Sequence, residues 1–109
     1  YIGTLCVEFF IDRNDNLYVN EIAPRVHNSG HLTINAFNIS QFENHIRAVC
    51  SLEQITTKKL SNAEMTNLIG SQILPYRNNP KLNDNQFLFD YLKKDIKEKR
   101  KMGHLTTLK

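Results

Sequence analysis

Two alternating runs flank a turn-forming cluster near the start of the chain, and this arrangement restricts the fold more than any other feature. The runs are TLCVEFFID (Thr4 to Asp12) and LYVNEIA (Leu17 to Ala23), with Arg13-Asn14-Asp15-Asn16 between them. Asn and Asp bond their own main chain and tolerate left-handed backbone, so the segment reads as an antiparallel hairpin. A two-residue turn at Asn14-Asp15 sets Arg13 opposite Asn16. Counting outward from that pair sets Glu8 directly opposite Glu21. Side chains so opposed have Cβ atoms about 5 Å apart, and two carboxylates that close repel unless a cation lies between them or one keeps its proton. Glu8 and Glu21 are therefore a candidate metal site.

The same alternation predicts two faces. Leu5, Val7, Phe9 and Ile11, with Tyr18 and Ile22, form the core side. Glu8, Phe10, Asp12, Leu17, Val19 and Glu21 form a mixed floor beneath a site. Asn20 projects from the opposite face of an ideal strand, so it shares the site only where the pleat breaks near Pro24.

Pro24 ends the second strand and opens a loop, Pro-Arg-Val-His-Asn-Ser-Gly-His, dense in groups that handle anions. The Arg25 fork suits a carboxylate, bicarbonate or phosphate. His27 is able to donate to an oxyanion or move a proton near neutral pH. Asn28 and Ser29 add neutral donors, and Gly30 permits a tight turn with exposed N–H groups. Beyond it, Ser40-Gln41-Phe42-Glu43 matches a capping box, and Ile39, Phe42, Ile46 and Val49 recur at helical spacing. A helix is predicted from Ser40 to Cys50, with a short one at Thr33 to Phe37. His45 lies on its polar face and reads as a surface histidine. Strands are predicted at 65–69, 87–92 and 104–108, with 71–86 mostly loop and 93–101 a charged loop whose Lys93 and Arg100 offer donors to a phosphate.

Composition narrows the function classes. The chain has 109 residues, enough for one domain or part of one, and a net charge of +3 concentrated in the Lys93 to Lys101 stretch. That is not the broad basic face of a nucleic-acid binder. No apolar run is long enough for a membrane-spanning helix. Cys6 and Cys50 lack a CxxC spacing and read as small core residues in a reducing compartment, which gives cytoplasm as the expected location. No GxxxxGK[ST] occurs, so any nucleotide is held mostly by other parts. A chain that starts in mid-strand at Tyr1 is expected to be a piece of a longer protein.

The blocks VEFF (7–10), VNEIAPRVHNSGH (19–31), SQFENHIRAV (40–49) and RKMGHLT (100–106) resemble the C-terminal part of the 5-(carboxyamino)imidazole ribonucleotide synthase family, in the family's order. These enzymes are ATP-grasp ligases of purine biosynthesis. The resemblance implies an α/β fold: the end of an ATP-grasp domain over residues 1–60, made of the antiparallel hairpin plus helices, then a small β-rich lobe over 61–109. It implies that ATP and bicarbonate give carboxyphosphate, whose carboxyl group passes to the amine of aminoimidazole ribonucleotide. By position, Glu8 and Glu21 would hold Mg2+ against the ATP phosphates, with Asn20 at the same nucleotide site. Arg25, His27 and Asn28 would hold bicarbonate or carboxyphosphate, with Ser29 beside them on the substrate side. Lys93 and Arg100 would contact the ribonucleotide. The implied partners are the N-terminal part of the same enzyme and a second copy in a homodimer.

The tail departs from the family pattern. Leu92, Glu98 and Lys99 stand where the family reads Gly, Pro and Gly, so the loop carrying Lys93 and Arg100 is expected to differ in shape. Two alternatives remain at this stage. One is a formate-using glycinamide ribonucleotide transformylase, whose loop resembles PRPHDTG rather than the Asn28-Ser29-Gly30-His31 seen here. The other is a non-catalytic dimerisation module presenting the 40–49 helix. Residues 1–109 alone are expected to turn over no ATP.

Overall fold

The computed structural model describes residues 1–109, which form two compact units, Tyr1–Lys58 and Lys59–Lys109. In the first unit, β1 (Cys6–Ile11) pairs antiparallel with β2 (Leu17–Ala23). Glu8 does lie opposite Glu21. The route to that register differs from the counted one. The Asp12 N–H donates to the Asn16 carbonyl at 3.0 Å and the Asp15 N–H to the Asp12 carbonyl at 3.2 Å, with Asp15 at φ 62°. The connection is thus a three-residue loop ending in a left-handed residue. The Asp12 carboxylate fastens it by accepting from the Asn14 and Asn16 N–H groups at 2.8 and 2.9 Å.

That loop shifts the near pairs by one, giving Ile11↔Leu17, Phe10↔Tyr18 and Phe9↔Val19. An irregularity between Glu8 and Phe9 then leaves Asn20 as an extra residue and restores Glu8↔Glu21, Val7↔Ile22 and Cys6↔Ala23. The predicted faces change accordingly. Leu17 and Val19 join Val7, Phe9, Ile11 and Ile22, while Tyr18 moves to the carboxylate face, its hydroxyl 3.5 Å from Asp12 Oδ2. The face expected to be the core side is 38% to 67% exposed along Val7, Phe9, Ile11, Leu17, Val19 and Ile22.

Two helices follow, α1 (Thr33–Ala36) and α2 (Gln41–Val49). Ser40 caps α2 by accepting the Glu43 N–H at 3.1 Å, and Glu43 pairs with Arg47 one turn on at 2.9 Å. Ala36, the last residue of α1, and Ile39, in the link to α2, are buried. His45 is not a plain surface residue. It is half-buried, and its Nδ1 accepts the Thr4 N–H at 3.1 Å, while Thr4 Oγ1 donates to the Gln41 carbonyl at 3.1 Å. These bonds tie the entry of β1 to α2.

The second unit is an antiparallel sheet of β3 (Ala63–Ile69), β5 (Lys101–Leu108) and β4 (Gln86–Asp90), with the last strand in the middle. The stretch expected to be loop contains a 3₁₀ turn at Gly70–Ile73 and a short helix, α3 (Leu74–Asn78). Pro75 sits in the first turn of α3, where its missing N–H leaves nothing unsatisfied. Leu68, Ile73 and Met102 form the core, with Tyr76 and Leu88 packed against it. β5 starts at Lys101, earlier than predicted, and at Gly103 the Phe89 carbonyl comes to where a Cβ would lie 2.5 Å from it. Neither cysteine is a core residue. Alternation puts half-buried Cys6 on the Glu8 face, and α2 ends before Cys50, which is exposed; both are free thiols. No helix is long and apolar enough to cross a membrane.

Candidate metal and anion site

The extra residue in β2 builds the site. A break in the pleat lets Asn20 share the face of Glu8, to whose Oε2 its amide donates at 3.3 Å. The break falls at Asn20 itself, not near Pro24. Glu21 is the direct neighbour of Glu8 across the hairpin. His27, from the loop after β2, lies between them. Its Nε2–H donates to Glu21 Oε1 at 2.8 Å, and its Nδ1 is 3.3 Å from Glu8 Oε1. With the proton on Nε2, Nδ1 accepts from the Ser29 hydroxyl at 2.9 Å and from the Ser29 N–H at 3.4 Å.

One ligand atom from each of Glu8, Glu21 and His27 lies within 4.8 Å of the others. Two carboxylates and an imidazole are a donor set suited to a divalent cation, and the carboxylates alone suit Mg2+. The repulsion expected between Glu8 and Glu21 has a solution that the sequence did not suggest. N–H donors from His27 and Asn20 stand where a cation would otherwise neutralise the pair.

The loop keeps its shape through short-range bonds and one distant side chain. The Arg25 N–H donates to the Ala23 carbonyl at 2.8 Å, and the Gly30 and His31 N–H groups donate to the His27 and Asn28 carbonyls at 3.0 and 3.1 Å. Gln41, at the start of α2, is the residue that sequence reasoning missed. It is 8% exposed. Its Oε1 accepts the His27 N–H at 2.9 Å; its Nε2 donates to the His27 carbonyl at 2.7 Å and to His31 Nδ1 at 2.8 Å. A polar residue just after a capping serine ordinarily faces water, so no periodic signal marks it. His31 also packs on Phe42, ring centroids 5.2 Å apart.

Of the predicted site residues, Glu8, Asn20, Glu21, His27 and Ser29 share one hydrogen-bond network. Arg25 is exposed and its Nη1 donates to the Val26 carbonyl at 3.0 Å, so its fork does not join that network. Asn28 enters through its carbonyl, in the 3₁₀ turn.

Lys93 and Arg100 belong to the second unit. Lys93 Nζ donates to the Lys101 carbonyl at 2.7 Å and lies 5.1 Å from the Tyr91 ring centroid. Arg100 Nη1 is 3.4 Å from the Asp95 carbonyl. The chain leading into Lys93 rests on a fork pairing, with Arg77 Nε and Nη2 donating to Asp90 Oδ2 and Oδ1 at 2.6 and 2.7 Å. Asp90 Oδ1 also accepts the Leu92 N–H at 2.8 Å, and Arg77 Nη2 reaches the Lys93 carbonyl at 3.2 Å. The Arg77 hydrogen bonds, with that of Leu92 behind them, hold the Asp90 carboxyl below the ordinary carboxylate range, against the opposing effect of burial. Leu92 itself sits at φ 54°. Burial raises the Tyr91 phenol, whose oxygen is 3.0 Å from His104 Nδ1.

Comparison with known proteins agrees with this architecture. Residues 1–42 match the ATP-grasp domain, and residues 63–109 match the phosphoribosylaminoimidazole carboxylase C-terminal domain. The chain is 45% identical over 108 residues to the N5-carboxyaminoimidazole ribonucleotide synthase of Bacillus subtilis, covering 99% of this chain and 28% of that protein. It overlays the N5-carboxyaminoimidazole synthetase of Staphylococcus aureus in complex with ADP with a TM-score of 0.89 at 46% identity, over 98% of this chain and 30% of that one. The Aspergillus clavatus synthase, in complex with ADP and 5-aminoimidazole ribonucleotide, gives 0.86 at 32% identity, over 98% and 30%. The chain thus spans less than a third of the relatives it matches. Matched along 99% of its length, the chain belongs to the N5-carboxyaminoimidazole ribonucleotide synthase family and corresponds to the C-terminal part of these proteins.

Proposed function

We propose that this stretch serves a ligase that uses ATP and bicarbonate to carboxylate 5-aminoimidazole ribonucleotide through carboxyphosphate. Residues 1–60 end the ATP-grasp domain and 61–109 form its small lobe. The observation that carries the reading is the convergence of Glu8, Glu21 and His27 beside an anion-handling loop. It gains support from relatives whose structures hold ADP or the ribonucleotide.

Glu8 and Glu21 would hold Mg2+, with Asn20 beside them at the nucleotide. When bound, that ion supplies neutralisation of phosphate charge, a large part of phosphoryl-transfer catalysis. Arg25 has an exposed fork able to grip bicarbonate through two parallel bonds. Asn28 and Ser29 offer neutral donors beside it. In the first step a bicarbonate oxygen bonds to the γ-phosphorus and ADP leaves. In the second, the amine of the ribonucleotide bonds to the carboxyl carbon, phosphate leaves and the amine gives up a proton. His27, whose Nε2 proton is directed by Glu21 and whose Nδ1 is supported by Ser29, is the group suited to hold or move that proton. Lys93 and Arg100 bind the ribonucleotide. Carboxyphosphate is labile to water, so the reaction needs a closed site. The family resemblance supports a homodimer in the cytoplasm.

The test is ATP turnover by the complete protein. ADP release should require both bicarbonate and aminoimidazole ribonucleotide. Turnover with formate and glycinamide ribonucleotide in their place would overturn the assignment.

A further inference from the structure

Gln41 has no part in the chemistry above, yet it is a buried polar side chain, 8% exposed. Its amide orientation is fixed by partners that act in one direction only. The His27 N–H at 2.9 Å only donates and the His27 carbonyl at 2.7 Å only accepts, so Oε1 and Nε2 cannot be exchanged. The second hydrogen of Nε2 is then directed at His31 Nδ1, 2.8 Å away. That nitrogen has to offer its lone pair, which leaves the ring proton of a neutral His31 on Nε2. The loop is built around this amide. A Cβ on Gly30 would run into Gln41 Oε1 and lie 2.7 Å from its Cδ.

We infer that Gln41 is a positioning residue that acts through two histidines. By bonding both main-chain groups of His27, like a rung of a sheet, it sets that imidazole between Glu8 and Glu21. By donating to His31, it fixes that ring as the Nε2–H tautomer. The inference rests on the reading of this loop as the substrate-facing one. A residue that merely filled volume would be replaceable by leucine; this one requires an acceptor and a donor side by side.

Two substitutions in the complete protein test it. Gln41→Glu keeps an acceptor for the His27 N–H but turns a second oxygen toward two acceptors, the His27 carbonyl and His31 Nδ1. With 15N-labelled histidine, the wild type should show His31 with Nδ1 unprotonated, and Gln41→Glu should move the proton to Nδ1. Gln41→Leu fills similar volume without either bond. It should speed hydrogen exchange of the His27 amide by about tenfold or more. It should also lower kcat by about tenfold, leaving KM for ATP within about threefold, as expected when a reacting group is misplaced while remote binding survives. An unmoved His31 proton in Gln41→Glu, or unchanged His27 exchange in Gln41→Leu, overturns the inference. Those two readouts decide it even if the complete protein turns over no ATP with bicarbonate, a result that would sink only the proposed function.

Discussion

The two loops that carry the candidate anion-handling groups are held in opposite ways. The loop at 24–31 is fastened by an uncharged, buried amide, and a glycine stands where a side chain would collide with that amide. The loop at 91–100 is fastened at its start by the Arg77–Asp90 ion pair, and a leucine stands where the backbone is left-handed. The two main-chain bonds of a neutral clamp carry no charge for salt to screen, whereas a partly exposed ion pair is weakened by both salt and acid. The first loop is therefore built for fixed geometry. The second holds its shape against strain, with a bond from Asp90 to the strained residue itself.

If that contrast extends to catalysis, the largest effects belong to the first loop. His27→Ala in the complete protein should lower kcat by about 100-fold or more, the usual scale for a lost acid–base group. Lys93→Ala should mainly raise KM for the ribonucleotide, by about tenfold, as expected when one charge-assisted contact is removed. Steady-state kinetics separates the two, and a larger kcat loss at Lys93 would reverse the division of labour. Next in size is Gly30→Ala. Forcing a methyl group against the Gln41 amide should destabilise the protein by about 2 kcal/mol, read from urea unfolding. A neutral result would mean the clamp is loosely packed.

Asp90→Asn probes the other anchor and should have a smaller effect near neutral pH, since Asn can still accept a hydrogen bond. Its signature is in acid. The folded carboxyl titrates below its unfolded value, so the pair stabilises fully above about pH 3.9 and fades as pH falls through the lower folded value. Asp12 and Glu64 are also held low, by hydrogen bonds from Asn16 and from Lys109 respectively, so an acid limb survives the substitution. The thermal midpoint of Asp90→Asn should nonetheless fall less steeply than wild type below pH 4. Identical limbs would show that the ion pair does not anchor the second loop.

How far the sequence could be read follows from the same contrast. Local signals gave the hairpin, the Ser40 cap and α2, because period and turn chemistry act over a few residues. The glutamate pair came out opposed through two compensating departures. The turn is one residue longer than the two-residue turn that Asn-Asp suggested, and Asn20 bulges to restore the register. Alternation cannot reveal a bulge, so the faces near the turn and the place of Asn20 differ from those that the pattern predicts. Neither anchor was legible. Gln41 meets His27 from 14 residues away and Arg77 meets Asp90 from 13, across loops with no periodic pattern. The short helix at 74–78 was hidden by a Pro- and Asn-rich composition that usually marks loop.

The smallest predicted effect has the opposite sign, and it addresses the strained position directly. Leu92 lies at φ 54° and is 80% exposed, so its side chain gains little from packing. A left-handed residue with a Cβ costs about 1–2 kcal/mol. Glycine removes that cost but adds freedom to the unfolded chain, about 0.4–1 kcal/mol. Leu92→Gly should therefore stabilise the protein by about 0.5–1 kcal/mol, the difference between those two terms. Urea unfolding of the complete protein should show the gain, and kinetics should show whether it comes with a change in KM for the ribonucleotide. A more stable variant with unchanged KM would make the leucine a tolerated departure from a glycine turn. A more stable variant with raised KM would mean that the strained turn sets the reach of Lys93. No gain at all would mean that the bond from the Leu92 N–H to Asp90, at 2.8 Å, already draws the backbone into this conformation at little cost.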